Sequence, residues 1–377
     1  MFLIRNSSLL LIKSQTKSTL LKNKIQASPN DRFGIKGIVL MSRFWNNVFF
    51  FLGVAAVVVM LLTFDMDYME LWAHICRAGG WFPLVVGVWV LIYLLNATSW
   101  YLIIRSGGKR PPVGFGKVYK LTISGFALNY ATPCGLMGGE PYRIMELSPL
   151  IGSERATSSV ILYVMMHIFS HVCFWLSSVV LYIIMYMPSL PVWFFLCAVS
   201  AFCLVAIFFF MKGYKHGMIV RVLRWLSGIP FVGKYFKRLH DGKKDYLVNV
   251  DRQIAELHSR HEATFYASFF LEFVARVLTS LEIYFILRIL TSDINFFDCV
   301  LIMAFTSLFG NLFFFSPMQL GAREGGFAIS VSALSLSGAF GVYVGLITRV
   351  RELIWIVVGL ALMKVGRHSG GKKSGRS

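Results

Sequence analysis

Long runs of apolar residues recur along the chain, and short polar or basic links separate them. Each run approaches or exceeds the ~20 residues that an α-helix needs to cross a hydrocarbon layer about 30 Å thick. The pattern predicts an all-α fold, a polytopic membrane helix bundle with about seven to nine hydrophobic segments. The segments long enough to span are 46–63, 82–104, 157–187, 190–211, 264–290, 297–315 and 340–363.

Two further hydrophobic segments, near 118–132 and 327–338, are shorter and more polar, with Pro and Gly beside them. Pro lacks a backbone donor and Gly relaxes φ, so we expect the helices to break there. Unpaired backbone groups are tolerated at membrane depth only where they face protein or water. We therefore predict two broken or re-entrant hairpins, around 118–156 and 316–339.

The two interrupted segments share a sequence pattern. Glycines follow both Pro133 and Pro317, and a glutamate lies seven residues after each proline, at Glu140 and Glu324. Both landmarks are offset by 184 residues. Transporter folds are built from internal repeats of this kind, so the offset predicts two pseudo-symmetric halves.

The candidate substrate-binding residues of the hairpins are their polar groups and the Pro and Gly residues that permit unwinding. Charges at membrane depth indicate a functional site by default, and helix N-termini attract anions. We predict that Glu140 and Arg143 form one polar site with Arg323 and Glu324. The alternative is that these charges only hold loops at the membrane edge. The hairpin candidates are Asn129, Pro133, Gly138, Gly139, Glu140, Arg143, Asn311, Pro317, Gly321, Arg323, Glu324, Gly325 and Gly326.

Further charged residues lie inside the long spans. Glu272 and Arg276 are four residues apart on one predicted helix, and Arg349 and Arg351 lie in the last span. They must face the bundle interior or water, so these four join the candidate substrate-binding set. Charges that line a lipid path and charges that join helices give the same pattern, and both interpretations stay open.

The sequence contains no complete motif for binding a metal, a cofactor or a nucleotide. His167 and His171 have a spacing that zinc sites use, but no carboxylate motif completes a site, so we interpret them as packing or hydrogen-bonding residues. The six cysteines show no C-x-x-C spacing. There is no G-x-x-x-x-G-K-[ST] and no G-x-S-x-G. We predict no metal and no cofactor.

Composition and charge exclude a soluble enzyme and give a topology. Hydrophobic residues make up 56% of the chain and charged residues only 15%, yet the net charge is +19. Lys and Arg concentrate near the N-terminus, in 105–120, in 212–260 and in 364–376, whereas Asp67 and Asp293 mark acidic links. Basic loops remain on the cytoplasmic side, so both termini are predicted to be cytoplasmic. These segments suit anionic lipid headgroups, and no nucleic-acid partner is predicted.

The chain divides into a tail, a membrane domain and an extension. Residues 1–45 are basic and expected to be disordered, and Met41 is the expected natural start because the first span follows it closely. The other predicted regions are the integral membrane domain 46–363, the basic cytoplasmic amphipathic loop 212–262 with an interfacial helix at 218–226, and the basic cytoplasmic tail 364–377.

The paired motifs carry a resemblance to a known family. Asn129 and Pro133 before Gly-Gly-Glu-Pro, and Pro317 before Gly-x-Arg-Glu-Gly-Gly, resemble the flippase-like membrane family. This family comprises the transmembrane region of lysylphosphatidylglycerol synthases and their stand-alone relatives. The resemblance covers about 46–363. Only 14 residues follow Met363, so we expect a chain without the soluble aminoacyl-transfer domain.

The resemblance implies movement of a phospholipid or polyprenyl-linked lipid between leaflets of the cell membrane. The expected partners are membrane lipids with an anionic or zwitterionic headgroup, and a separate lipid-synthesising enzyme. A lipid-modifying membrane enzyme with Glu140 or Glu324 as general base, and an ion-coupled exchanger, are the alternative hypotheses. Only the enzyme would convert a labelled lipid chemically.

Overall fold

The structure, a computed structural model, describes most of the predicted membrane domain. Its described residues are 79–106, 112–131, 138–216, 244–260, 262–312, 322–334 and 336–364, together with Val48, Phe51 and Cys76. Outside the described residues lie the predicted first span, apart from Val48 and Phe51, the predicted interfacial helix at 218–226 and the tail after Lys364. All described residues from Phe51 onward belong to one compact unit, Phe49–Ser377.

Ten helices and no strand occur in the described residues, which confirms the predicted all-α membrane bundle. In chain order they are α1 (Trp81–Ser106), α2 (Phe115–Ala131), α3 (Gly139–Ile151), α4 (Ser153–Met185), α5 (Leu190–His216), α6 (Lys244–Arg260), α7 (Glu262–Leu287), α8 (Phe296–Leu312), α9 (Ala322–Ser332) and α10 (Gly338–Lys364).

The helices agree closely with most predicted spans, and the exceptions lie where polar residues are helical. The predicted segment 327–338 is not one element, because α9 begins earlier, at Ala322, and ends before α10 begins. Hydropathy misses the start of α9 because its first turn contains Arg323 and Glu324. Similarly, the loop predicted at 212–262 contains the end of α5 and the whole of α6.

Helix α6 is an amphipathic helix that packs on the bundle. Val250 and Ile254 are buried in the same apolar cluster as residues of α4. The Ser158 hydroxyl on α4 donates a hydrogen bond to Gln253 Oε1 at 2.7 Å. One face of α6 therefore covers the beginning of α4.

The predicted internal repeat is visible in the order and lengths of the helices. The series α1–α4 has 26, 17, 13 and 33 residues, and the series α7–α10 has 26, 17, 11 and 27. Each helix of the second series begins 181 to 185 residues after its counterpart. The short pairs α2–α3 and α8–α9, called hairpin 1 and hairpin 2 below, occupy equivalent positions between long helices.

The two halves run in opposite directions. Helices α1 and α7 are equivalent in the repeat and pack along each other. The Trp81 ring, at the start of α1, lies 5.9 Å from the Phe285 ring, near the end of α7. Ser99 and Ser268 each donate their hydroxyl to the other's carbonyl oxygen, at 3.2 and 3.3 Å. Equivalent helices are thus antiparallel, which makes the halves an inverted repeat of the kind found in transporters.

Contacts between the halves occur at equivalent positions. The Ser124 hydroxyl of α2 donates to the Gly359 carbonyl of α10 at 3.0 Å. In the other half, Trp175 Nε1 of α4 donates to the Ser307 hydroxyl of α8 at 2.9 Å. Ser307 follows Ser124 by 183 residues, and Gly359 follows Trp175 by 184. Each hairpin therefore packs against the last long helix of the opposite half.

The outer surface of the bundle is apolar where it would meet lipid. Helices α1 and α4, and α5 as far as Gly213, are long and apolar enough to cross a membrane. Phe194 and Phe209 on α5 are 71% and 63% exposed. The long helices α7 and α10 differ because they carry charged residues, among them Glu272, Glu282 and Arg351, which are buried inside the bundle.

Candidate functional site

A charged cluster joins α1, α7 and α10 in the bundle interior. Arg351 binds the Glu282 carboxylate through two hydrogen bonds, Nε to Oε1 at 2.8 Å and Nη2 to Oε2 at 3.0 Å. Trp89 Nε1 donates to the same Oε2 at 2.9 Å, and the Arg351 guanidinium lies 3.9 Å from the Trp89 ring centroid. Bidentate pairing and cation–π contact both favour arginine over lysine here.

Glu352 extends this cluster to hairpin 2. Its carboxylate accepts from Arg323 of α9 and from Arg349 Nη1 at 3.2 Å, and it lies 3.9 Å from Arg351 Nη2. Removal of charges from water is unfavourable unless they are paired. Three arginines facing Glu282 and Glu352 leave these five side chains with one net positive charge.

A cavity of about 200 Å³, called cavity A, lies beside the cluster. Its lining includes Arg276, Arg323 and Arg351 from three helices. Five buried atoms of the lining have no hydrogen-bond partner among the described residues: Asn96 Oδ1, His171 Nδ1, Glu272 Oε1, Arg276 Nε and Arg351 Nη1. Such orphaned groups are unfavourable and indicate that water or a ligand completes the site.

His167 of α4 bridges two charged residues of α7 across the bundle. Its Nδ1 lies 2.8 Å from Glu272 Oε2, and its Nε2 lies 3.0 Å from Arg276 Nη2. In the sequence, Glu272 and Arg276 lie four residues apart on one helix, a spacing at which side chains can pair directly. The structure instead inserts the imidazole between them, which ties α4 to α7.

Hairpin 1 has a separate polar centre where α2 and α3 meet. Asn129 Oδ1 accepts from the Gly139 N–H at 2.8 Å, and its Nδ2 donates to Glu140 Oε1 at 2.9 Å. The side chain therefore caps the first turn of α3 from the end of α2. A Cβ at Gly139 would overlap the Gly125 carbonyl oxygen, so the close helix approach requires glycine.

Arg143 is a fully buried charged residue of hairpin 1. It donates to Glu140 Oε1 at 3.4 Å and to the Thr122 carbonyl at 3.2 Å. Its guanidinium lies 5.0 Å from the Phe126 ring centroid and 5.2 Å from that of Tyr163. The carbonyls, the carboxylate and the aromatic rings together compensate for the loss of water around this buried cation.

A second cavity of about 160 Å³, called cavity B, lies beside this centre. Glu140 and Arg143 line it, and Glu140 Oε2 and the Tyr163 hydroxyl have no hydrogen-bond partner among the described residues. Cavities A and B share three lining residues: Phe126, Tyr130 and His167. These three side chains, called the partition below, therefore separate two polar cavities.

The structure divides the polar site that the sequence suggested. Glu140 and Arg143 line cavity B, whereas Arg323 lines cavity A and pairs with Glu352. The side chain of Glu324 lies outside the described residues. Among the other candidates, Asn129 lines cavity B, and Asn311, Glu272, Arg276 and Arg351 line cavity A. Arg349 binds Glu352, Gly138 precedes α3, Gly139 begins α3, and Gly325 and Gly326 lie in α9. Pro133, Pro317 and Gly321 lie outside the described residues.

Several residues of the two cavities were not among the candidates. Asn96, Tyr130 and Tyr163 are polar residues within apolar stretches and carry no distinctive spacing. His167 was interpreted as a packing or hydrogen-bonding residue, and its contacts agree with the second role. Its i,i+4 relation to His171 was the available signal, because both rings line cavity A. In the described part of the chain no cluster of His, Cys, Asp or Glu could hold a metal ion.

Comparison with known proteins gives the family. No match was found among the curated proteins or the solved structures with which the chain was compared. The family model of the lysylphosphatidylglycerol synthase TM region matches residues 49–361, which include all ten helices except the last residues of α10. The chain is therefore a membrane protein that belongs to the family of the lysylphosphatidylglycerol synthase transmembrane region.

Proposed function

We propose that this protein moves a phospholipid or polyprenyl-linked lipid between membrane leaflets, with the headgroup passing through cavity A. The observation that carries the proposal is the location of cavity A between the two inverted halves, where α7, hairpin 2 and α10 each supply an arginine. Inverted-repeat transporters bind substrate at such an interface and expose it alternately to either side.

The chemistry of cavity A favours an anionic headgroup. Arg276 Nε and Arg351 Nη1 are donors without a partner among the described residues. A phosphate group supplies acceptors for guanidinium groups, and such charge-assisted hydrogen bonds are strong. A phosphodiester or a polyprenyl phosphate would therefore satisfy these donors, whereas acyl chains would remain along the apolar outer surface.

The proposed location is the cell membrane, with both termini cytoplasmic. At one end of the bundle, Arg155 at the start of α4 donates to the Ile104 carbonyl near the end of α1, at 2.9 Å. At the other end, Tyr186 donates to Asp298 at 2.7 Å. The basic loops that follow α1 and α5 leave from the first end, and basic loops remain on the cytoplasmic side.

Cysteine labelling tests this orientation. Arg252 on α6 and Asp293 after α7 are both exposed, at opposite ends of the bundle. In a cysteine-free background, Asp293→Cys should react with an impermeant maleimide in intact cells, and Arg252→Cys should react only after permeabilisation. The reverse pattern would contradict the proposed orientation.

Leaflet exchange in liposomes tests the function. Purified protein would be reconstituted with fluorescent phosphatidylglycerol, phosphatidylethanolamine or polyprenyl phosphate, and dithionite would bleach the outer leaflet. We expect protein-dependent exchange of at least one phosphate-bearing lipid, recovered chemically unchanged. A converted lipid would favour the enzyme hypothesis. Absence of exchange for all three lipids would contradict the proposal.

A further inference from the structure

Among the histidines whose side chains the structure describes, only His167 lines both cavities. It lines both cavities as part of the partition, and it contacts a carboxylate and a guanidinium of α7 at the same time. Its side chain is one-quarter exposed, so a proton can reach it from a cavity. The neighbouring His171 lines only cavity A.

The contacts of His167 define where its proton lies. Arginine has no acceptor, so Arg276 must donate to His167 Nε2, and that nitrogen carries no hydrogen. The remaining hydrogen is therefore on Nδ1 and is donated to Glu272 Oε2. This geometry requires the neutral imidazole, because a protonated ring would place an N–H of Nε2 against the Arg276 guanidinium, 3.0 Å away.

The charged groups around His167 determine whether the protonated ring is stabilised and which neighbour it repels. Glu272 and Arg276 face it from α7, and the His171 ring lies 5.2 Å away on α4. Across the cavities lie the remaining ionisable side chains of the linings: Tyr130 on α2, Glu140 and Arg143 on α3, Tyr163 on α4, Arg323 on α9 and Arg351 on α10. Glu272 is the contacting carboxylate, so it stabilises an imidazolium while Arg276 is repelled.

We infer that His167 is a proton-binding site that couples proton uptake to anion binding in cavity A. Protonation keeps the Nδ1–H bond to Glu272 and turns Nε2 into a donor, which expels Arg276. The released guanidinium already lines cavity A, and its Nε has no partner among the described residues. Arg276 then binds the phosphate, and by linkage the phosphate favours protonation equally.

The charges balance for one proton and one monoanion. With a neutral imidazole, Glu272 and Arg276 cancel. Protonation adds one positive charge, and a phosphodiester headgroup removes it. Lipid and proton together therefore leave the net charge of the site unchanged, which favours passage through a low-dielectric interior. This inference rests on the proposed lipid movement and adds its energy source, a proton that accompanies the lipid.

A pH gradient across proteoliposomes tests the coupling. At one proton per lipid, a gradient of about one pH unit should shift the leaflet distribution of fluorescent phosphatidylglycerol about tenfold toward the alkaline side. A potassium diffusion potential at equal pH should have no effect, because the loaded site gains no net charge. A wild-type distribution that ignores pH, or that follows the potential, overturns the coupling while leaving lipid movement itself established.

The variant His167→Gln isolates the residue. Glutamine can donate to Glu272 and accept from Arg276, but it cannot take up the proton. We expect it to equilibrate the lipid between leaflets with no response to the pH gradient. The control is Phe209→Ala on the exposed, apolar face of α5, outside both cavities, which should keep the tenfold shift. A pH response retained in His167→Gln, or lost equally in Phe209→Ala, overturns the assignment.

A binding measurement separates the coupling from transport. Titration of the purified protein with dihexanoyl phosphatidylglycerol, in buffers of different ionisation enthalpy, counts protons taken up on binding. At a pH where the empty site is unprotonated, wild type should take up about one proton per lipid, and His167→Gln none. Binding without proton uptake in wild type overturns the inference even if leaflet exchange is established. Absence of leaflet exchange with intact proton uptake would instead contradict only the proposed function.

Discussion

The two hairpins occupy equivalent positions in the inverted repeat, but they connect their charges differently. Hairpin 1 satisfies its charges locally, since Arg143 binds Glu140 and carbonyls of α2, and Asn129 joins both helices. In hairpin 2, Arg323 instead forms an ion pair with Glu352 on α10, outside the hairpin. One hairpin is therefore internally closed, and the other is tied to the charged cluster beside cavity A.

Because their charges are paired differently, the two hairpins are expected to respond differently to movement of the helices around them. A hairpin that pairs its own charges can move or stay as a unit without exposing an uncompensated charge. A hairpin bound to α10 through an ion pair cannot move relative to α10 without breaking that pair. A movement of α10 beside cavity A would therefore act on hairpin 2 through Arg323, whereas the charges of hairpin 1 would stay paired with each other.

The largest effect on stability is expected at the cluster that anchors hairpin 2. Glu282→Ala removes the carboxylate that binds both Arg351 and Trp89. Removal of one partner of a buried ion pair costs about 3–5 kcal/mol, because the other charge is left uncompensated. Thermal unfolding in detergent measures this. A loss below 1 kcal/mol would mean that the cluster behaves like a surface pair.

The next effect distinguishes the hairpins directly. Arg143→Ala should lose about 2–3 kcal/mol, because a buried, charged hydrogen-bond donor and its ring contacts disappear. Arg323→Ala should lose less, because its guanidinium is partly exposed and Glu352 keeps Arg349 and Arg351 nearby. The yield and melting temperature of the two variants give the comparison. Equal losses would show that both arginines have the same structural role.

A smaller effect concerns the glycines of each hairpin. Gly139→Ala forces a Cβ against the Gly125 carbonyl oxygen, and overpacking of this kind costs about 1–3 kcal/mol. Gly325→Ala in hairpin 2 meets no atom of the described residues within 4 Å and should gain about 0.5–1 kcal/mol from helix propensity. Melting temperatures should therefore move in opposite directions. Movement in the same direction would contradict the packing of hairpin 1.

The smallest effect is expected at the outer edge of hairpin 1. Lys117 Nζ lies 3.6 Å from Glu146 Oε2, and both side chains are partly exposed. Exposed ion pairs contribute about 0–1 kcal/mol, so Lys117→Ala should leave the melting temperature nearly unchanged. A large loss would indicate that the charge balance of hairpin 1 extends beyond its buried centre.

Much of the fold follows from the sequence because helix formation and burial depend on local patterns. The spans predicted at 82–104 and 264–290 differ from α1 and α7 by a few residues at each end. The 184-residue offset indicated the repeat, but not its direction, since hydropathy reads the same along either orientation. The antiparallel packing of α1 and α7 supplies that direction.

The pairing of charges could not be predicted in the same way. The spacing of Glu272 and Arg276 in the sequence favours a direct ion pair between them. In the structure, the His167 side chain, more than 100 residues earlier in the chain, lies between the two. Arg323 likewise binds Glu352 on the next long helix. Such pairs depend on which helix faces meet, and each polar side chain in an apolar helix has several possible partners until the helices are packed.

Leaflet exchange in Arg276→Gln and Arg323→Gln tests most directly the proposal that the headgroup passes through cavity A. Rates would be normalised to folded, reconstituted protein, with the lipid-facing Phe209→Ala as the control. Loss of a charge-assisted hydrogen bond of about 1.5–3 kcal/mol predicts about a 10- to 100-fold slower exchange of phosphatidylglycerol in both arginine variants. Wild-type rates in both arginine variants would contradict the proposal.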